Sequence, residues 1–204
     1  MSDASTYNGG AILAMKGKNC VVVATDKRLG ASYQTITMNY PKISQPNKSC
    51  LLAIAGFASD AQMLHRDLAS RCELFEFENN RSLTPSELIN LVSAVLYEKR
   101  FGPLFVSPII AGMEGDISIV GGHDSIGAPA ISDWIVDGTA NEFLLGPAQM
   151  YWKEGMGKEE LIECASKVMQ AGTNRDAYSG WGIQIHCMEA DGSMEIRDIA
   201  CRMD

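Results

Sequence analysis

The stretch GGAILAMKGKNCVVVATDKR, residues 9–28, decides how the rest of the chain is read. Ala11 to Met15 and Cys20 to Thr25 are short apolar runs, and Lys16-Gly17-Lys18-Asn19 between them has turn composition, so the stretch predicts two antiparallel strands and a tight turn. The second run barely alternates in polarity, which predicts a strand covered on both faces. A Gly-Gly pair leads the first strand, and an acidic-basic cluster, Asp26-Lys27-Arg28, closes the second.

Further strands are predicted at Tyr33 to Thr37 and Cys50 to Ala55. From Gly56 the period changes to that of a helix, with Ala61, Leu64, Leu68, Cys72 and Phe75 on one face. Thr84-Pro85-Ser86-Glu87 then supplies an N-cap, a proline at the first helical position and the glutamate of a capping box, ahead of a stripe of Leu88, Leu91, Val92, Val95 and Leu96. Strands are expected again at Val106 to Met113, Asp116 to Val120 and Ile131 to Val136. Thr139-Ala140-Asn141-Glu142 repeats the capping-box pattern and opens a third helix, which Gly146-Pro147 should kink or shorten. A fourth helix carries Leu161, Cys164, Ala165, Val168 and Met169 on one face, with Gly172 near its end. Strands at Gly182 to Glu189 and Met194 to Ala200 close the chain.

Strands, a helix pair, strands, a second helix pair and a final hairpin do not alternate as βαβ units would, so the class is α+β. Near-continuous apolar strands predict two sheets packed face to face, each covered outside by a helix pair: a four-layer αββα sandwich. No linker, repeat or low-complexity tract divides residues 1–204, which read as a single domain.

Composition narrows the function. A net charge of −8 without a basic cluster argues against nucleic-acid binding. The longest apolar runs cannot span a bilayer, so no membrane partner is expected. Six cysteines without CxxC spacing read as reduced, buried thiols. With a polar, acidic Met-Ser-Asp start in place of a secretory leader, they predict a cytoplasmic and nuclear protein. His65, His123 and His186 lack ligand spacing, so neither a metal nor another cofactor is expected.

Four segments, Ala24-Thr25-Asp26-Lys27-Arg28, Lys42-Ile43, Ala55-Gly56-Phe57-Ala58-Ser59-Asp60 and Arg175-Asp176-Ala177-Tyr178-Ser179-Gly180, in this order and spacing, resemble the proteasome β-subunits. That family has the N-terminal-nucleophile hydrolase fold, and the likeness covers nearly the whole chain. In its active members a threonine freed by propeptide removal attacks the peptide carbonyl, with its own α-amino group as base. The resemblance implies that Asp26 and Arg28 match the pair orienting a lysine, Lys42 that lysine, Gly56 the oxyanion glycine, and Asp176 and Ser179 a pair supporting the nucleophile. Counting back sixteen residues from Asp26, the family's spacing, reaches Gly10, which has no hydroxyl. Thr6 and Ser5 lie upstream of the strand start and are expected to sit several ångströms out of place.

The implied site is therefore vestigial, with no catalytic residue, and its charged members also read as a structural ion network. Tyr7-Asn8-Gly9-Gly10-Ala11, Tyr97-Glu98-Lys99-Arg100-Phe101-Gly102-Pro103 and the ending Arg202-Met203-Asp204 look like a non-catalytic subunit of the eukaryotic core particle. Such a subunit implies a seven-membered ring, with other β-subunits, α-ring subunits and assembly factors as partners. The loop from Asp124 to Ala128 matches one that borders a neighbouring subunit's specificity pocket, where Asp124 would favour basic side chains. The alternative reading is a self-processing N-terminal-nucleophile peptidase; a free-standing adaptor is a third.

Overall fold

A computed structural model describes residues 4–203. After a 3-10 turn at Ala4–Thr6, the chain runs β1 (Ala11–Lys16), β2 (Cys20–Asp26), β3 (Leu29–Ala31), β4 (Gln34–Thr37), β5 (Ile43–Asn47) and β6 (Cys50–Gly56). Helices α1 (Ala58–Asn79) and α2 (Pro85–Glu98) follow, then β7 (Val106–Glu114), β8 (Ile117–His123), β9 (Pro129–Ile131) and β10 (Trp134–Gly138). The last elements are α3 (Asn141–Tyr151), α4 (Lys158–Thr173), β11 (Ile183–Glu189) and β12 (Met194–Ile199).

Two five-stranded antiparallel sheets carry the fold, ordered β10-β1-β2-β11-β12 and β5-β6-β7-β8-β9. Because successive strand residues face opposite ways, each central strand supplies two cores. Ile12, Ala14, Val21 and Val23 of the first sheet meet Leu51, Ala53, Ile109 and Ala111 of the second. The alternate residues Leu13, Met15, Val22 and Ala24 pack under α3 and α4, and Leu52, Ile54 and Ile110 pack under α1 and α2. The result is the expected α+β arrangement of helices, sheet, sheet and helices. All seven residues of β2 are buried, as the unbroken apolar run requires.

The Thr84 cap forms as predicted. Its side chain accepts from the Glu87 N–H, and the Glu87 carboxylate accepts from the Thr84 N–H at 2.9 Å. Two expectations need correction, at Ile131 to Val136 and at the second capping box, and one strand falls in a sheet of its own. The strand expected at Ile131 to Val136 is two strands in different sheets: β9 pairs with β8 and β10 pairs with β1, and the chain crosses between layers at Ser132-Asp133. The strand expected at Tyr33 to Thr37 forms at Gln34–Thr37, in a separate hairpin, β3–β4, outside both main sheets. The second capping box does not form: α3 begins after Ala140 with no side-chain cap, because the Thr139 hydroxyl is engaged elsewhere. Strand β5, which contains Pro46, was not foreseen; it is an edge strand with an irregular register between Ser44 and Asn47, where a missing N–H is tolerated.

Candidate functional site

The antiparallel register between β1 and β2, with Ile12 opposite Thr25, brings the start of the first strand beside the end of the second. Gly10 and Asp26 therefore meet although sixteen residues separate them. The Ala11 N–H donates to Asp26 Oδ1 at 2.8 Å, and the N–H groups of Arg28 and Gly180 each donate to Oδ2 at 3.2 Å. Lys42 Nζ donates to Oδ1 and forms a salt bridge with it. Asp26 is 0% and Lys42 5% exposed, so this is a fully buried ion pair whose carboxylate receives four donors. Such satisfaction is what makes burial of the charge tolerable.

Gly9 and Gly10 play different parts. Gly9 has φ of +70°, and a Cβ there would overlap the Tyr178 carbonyl. Gly10 is unlike it: a Cβ would stand 3.4 Å from Lys42 Nζ and 3.8 Å from Asp26 Oδ1 and Ala55 Cβ, ordinary contact distances. Space for a side chain next to the lysine is thus retained, and glycine leaves it without one. Gly56, at the end of β6, has φ of +110°, a conformation that requires glycine.

Asp176 reaches the same place from the other side. Its Oδ2 accepts from the Thr139 hydroxyl at 2.7 Å and its Oδ1 from the Tyr178 N–H at 3.1 Å. Thr139 Oγ1 in turn accepts from the Gly10 N–H at 3.2 Å. The hydroxyl has one proton, and the short contact to a carboxylate is where it goes. Thr139 is thus a site residue that sequence reasoning missed. Its local pattern matched a helix cap, and no signal within a few residues distinguishes the two uses.

Two expected members are placed differently. The Arg28 guanidinium does not touch Lys42 or Asp26. It donates to Tyr178 O at 2.7 Å, Ser32 O at 3.0 Å and Thr35 Oγ1 at 3.0 Å, and so ties the β3–β4 hairpin to the 176–179 loop. Only the Arg28 backbone N–H reaches Asp26. Ser179 is buried, but its hydroxyl has no hydrogen-bond partner among the described residues and does not bond Asp176 or Gly10.

A cleft of about 480 Å³ opens beside this cluster, walled by Ser5, Thr6, Gly56, Ser107, Asp124 and Thr139 among others. Ser5 and Thr6 are therefore nearer than an extended strand would place them, because residues 4–6 turn back as a 3-10 helix. The segment is pinned behind them: Asn8 donates to Gly30 O and accepts from the Ala58 N–H, both at 2.8 Å. Asp137 also faces the cleft, and burial pushes its carboxyl up against the opposing hydrogen bonds from the Gly138 N–H and Ser107. Asp124 is exposed at the cleft rim, with Oδ1 accepting from the N–H groups of Ile126 at 3.0 Å and Ala128 at 2.8 Å. That turn fixes the carboxylate at the surface, and Ala128 closes it. Among the described residues, no group of three or more His, Cys, Asp or Glu side chains is placed to hold a metal.

A family model described as Proteasome subunit matches residues 6–188 of the chain. A Dictyostelium discoideum protein named Proteasome subunit beta type-3 is 41% identical over 183 residues, 88% of this chain and 89% of its own length. The Picea mariana protein of the same name is 40% identical over 200 residues, 97% of this chain and 98% of its own. In Schizosaccharomyces pombe, a protein named Probable proteasome subunit beta type-3 is 38% identical over 187 residues, 91% and 92% of the two chains.

Proposed function

Since the chain belongs to the proteasome subunit family, we propose that it serves as a non-catalytic structural β subunit, of type 3, in the 20S core particle. As one domain it contributes ring contacts and chamber wall to ubiquitin-dependent and other proteasomal protein degradation, and does not itself cut peptide bonds. Its partners are the other β subunits, α-ring subunits and assembly factors, and its place is the cytoplasm and nucleus. The Asp124 to Ala128 turn borders the adjacent subunit's specificity pocket.

One observation carries the non-catalytic reading. Residue 10 sits where a side chain would contact Lys42, and it is glycine. Covalent catalysis of the family kind needs a hydroxyl at that point and a free α-amino group on the same residue. The supporting groups cannot substitute: Thr139 lies within the chain, where its nitrogen is an amide and cannot serve as the base, and Asp26 and Lys42 neutralise each other in the interior. What remains, Asp26 with Lys42 and Asp176 with Thr139, holds the two sheets and the loops around Gly10 in register.

The alternative, a self-processing peptidase, draws on Ser5 and Thr6, which line the cleft. Intact-mass analysis of the chain from cells, read with the size of the particle that carries it, separates the two. An unprocessed chain, apart from Met1 removal or acetylation, inside a particle of about 600 kDa, the order expected for four seven-membered rings of such chains, supports the structural subunit. A new N-terminus at Ser5 or Thr6 would overturn it.

A further inference from the structure

Strands β2 and β11 run antiparallel, with Cys20 opposite Glu189 and Cys187 opposite Val22. Partners across a ladder share a face, so Cys20 and Cys187 are diagonal neighbours, and both lie in the core between the first sheet and helices α3 and α4. The structure holds them as free thiols. They are in hydrogen-bonding contact, with the Cys187 thiol donating and the Cys20 sulfur accepting.

This contact gives the two sulfurs different characters. The bond from Cys187 holds Cys20 below the ordinary thiol range against the effect of burial; the Lys158 ammonium adds to it and the Glu189 carboxylate opposes it. The same bond, together with burial, keeps the proton on Cys187. Lys158 is the first residue of α4 and bridges Glu189 and Glu195. An acidified thiol touching a second, protonated one is the arrangement of a reactive cysteine beside a resolving one. Cys50 shows the contrast, since burial pushes its thiol up to about 12.

A buried sulfur needs a route to solvent, and the β1–β2 turn supplies it. A Cβ on Gly17 would stand 2.8 Å from the Cys20 sulfur and 2.7 Å from Met156 O, so the Gly17 backbone lies directly against that sulfur. Gly17 also lines a cleft of about 340 Å³, together with Lys18, Asn19, Trp152 and Gly155. The cleft wall has no side chain at that point, and the residues across it, Glu154 and Gly155, are exposed. A molecule as small as hydrogen peroxide reaches Cys20 through a local opening of this turn.

We propose that Cys20 and Cys187 form a reversible dithiol–disulfide site for hydrogen peroxide. The Cys20 thiolate attacks one peroxide oxygen and the O–O bond breaks. Cys20 becomes a sulfenic acid, and the departing hydroxide takes up the proton that ionisation of Cys20 released, giving water. The Cys187 thiol then attacks the sulfenic sulfur, the S–O bond breaks, and the hydroxyl leaves as water with the Cys187 proton. Two thiols are oxidised to one disulfide, and one peroxide is reduced to two waters. A diagonal cross-strand pair starts wider than the relaxed disulfide span, so closing the bridge strains the ladder and leaves the bond easily reduced. This chemistry is independent of the assembly reading above.

The test exposes the full-length tagged chain, isolated from cells with its bound partners, to a hydrogen peroxide series. Free thiols are then blocked under denaturing conditions, and peptide mass spectrometry maps the remainder with and without dithiothreitol. A Cys20–Cys187 linked peptide is expected, half-formed at a peroxide concentration about tenfold or more below that which oxidises Cys50, and lost on reduction. Cys187→Ser keeps a donor toward Cys20 but cannot resolve it, so dimedone should trap a Cys20 sulfenic acid there at least about fivefold more than in wild type. Cys20→Ser should leave Cys187 a free thiol. Because the linkage is read in the wild-type chain, it decides the matter even where a variant fails to fold. Oxidation of Cys20 and Cys187 no earlier than Cys50, a bridge from Cys20 to another cysteine, or oxidation that dithiothreitol does not reverse would overturn the proposal.

Discussion

Replacing Lys42 by Met tests whether the remnant site is a structural element. The substitution keeps most of the side-chain volume and removes the cation, leaving Asp26 fully buried with its three backbone N–H donors from Ala11, Arg28 and Gly180. Breaking a buried pair from one side costs about 3–5 kcal/mol, and the surviving donors put this case near 3. With an m-value of about 2 kcal/mol per molar in urea, the unfolding midpoint should fall by about 1.5 M. Asp26→Asn is expected to cost at least as much: it strands Lys42 and turns an amide NH2 toward backbone N–H groups that need an acceptor. The double variant Asp26→Asn/Lys42→Met leaves neither charge of the pair stranded, so its loss should be smaller than the sum of the two by about 1–3 kcal/mol. Pulse proteolysis of the newly made chain across a urea series reads all four midpoints without purification. Midpoints within about 0.2 M of wild type for Lys42→Met, or strictly additive losses, would show that the pair does not hold this region together.

Gly9→Ala should destabilise by about 2–4 kcal/mol, because a positive φ and a clash with the Tyr178 carbonyl act together. Gly10→Ala, which meets only ordinary contacts, should stay within about 1 kcal/mol of wild type in the same assay. His65, whose Nδ1 is 2.7 Å from the Ser44 hydroxyl, is held neutral by burial, its pKa lowered to about 4. The unfolded chain therefore binds the extra proton between about pH 6.5 and 4, so stability from this group is complete above 6.5 and lost as pH falls toward 4. His65→Gln should flatten that part of the stability-against-pH curve, and an unchanged slope would assign it elsewhere. Asp124→Ala should lower cleavage after basic residues by the assembled particle relative to its other peptidase activities; equal activities across fluorogenic peptides would remove Asp124 from the neighbour's pocket.

The β1–β2 hairpin, the inner stripes of α1, α2 and α4, and the Thr84 cap were all legible in sequence. Each is encoded within a few residues: alternation for strands, i, i+3 and i+4 spacing for helices, one hydroxyl and one carboxylate for the cap. Gly10, Asp26 and Lys42 were legible as a set only through the family resemblance; the hairpin register then explains why the first two meet. The residues from 129 to 138 were not, since nothing local says that β9 and β10 pair into different sheets. The roles of Thr139 and Arg28 were hidden for the same reason: each has a plausible local partner and a better distant one.

By itself, then, the sequence determined the layers and, through the family resemblance, pointed to Gly10 as the residue beside Asp26 and Lys42. Tertiary structure alone decided which hydroxyl reaches Asp176, where Arg28 spends its donors, that Ser5 and Thr6 fold back to the cleft, and that Cys20 and Cys187 meet across β2 and β11. The division has a physical cause. Backbone periodicity and capping are satisfied between neighbours in the chain, whereas a buried polar side chain takes whichever partner the finished packing places nearest. For Thr139 that partner lies 37 residues away.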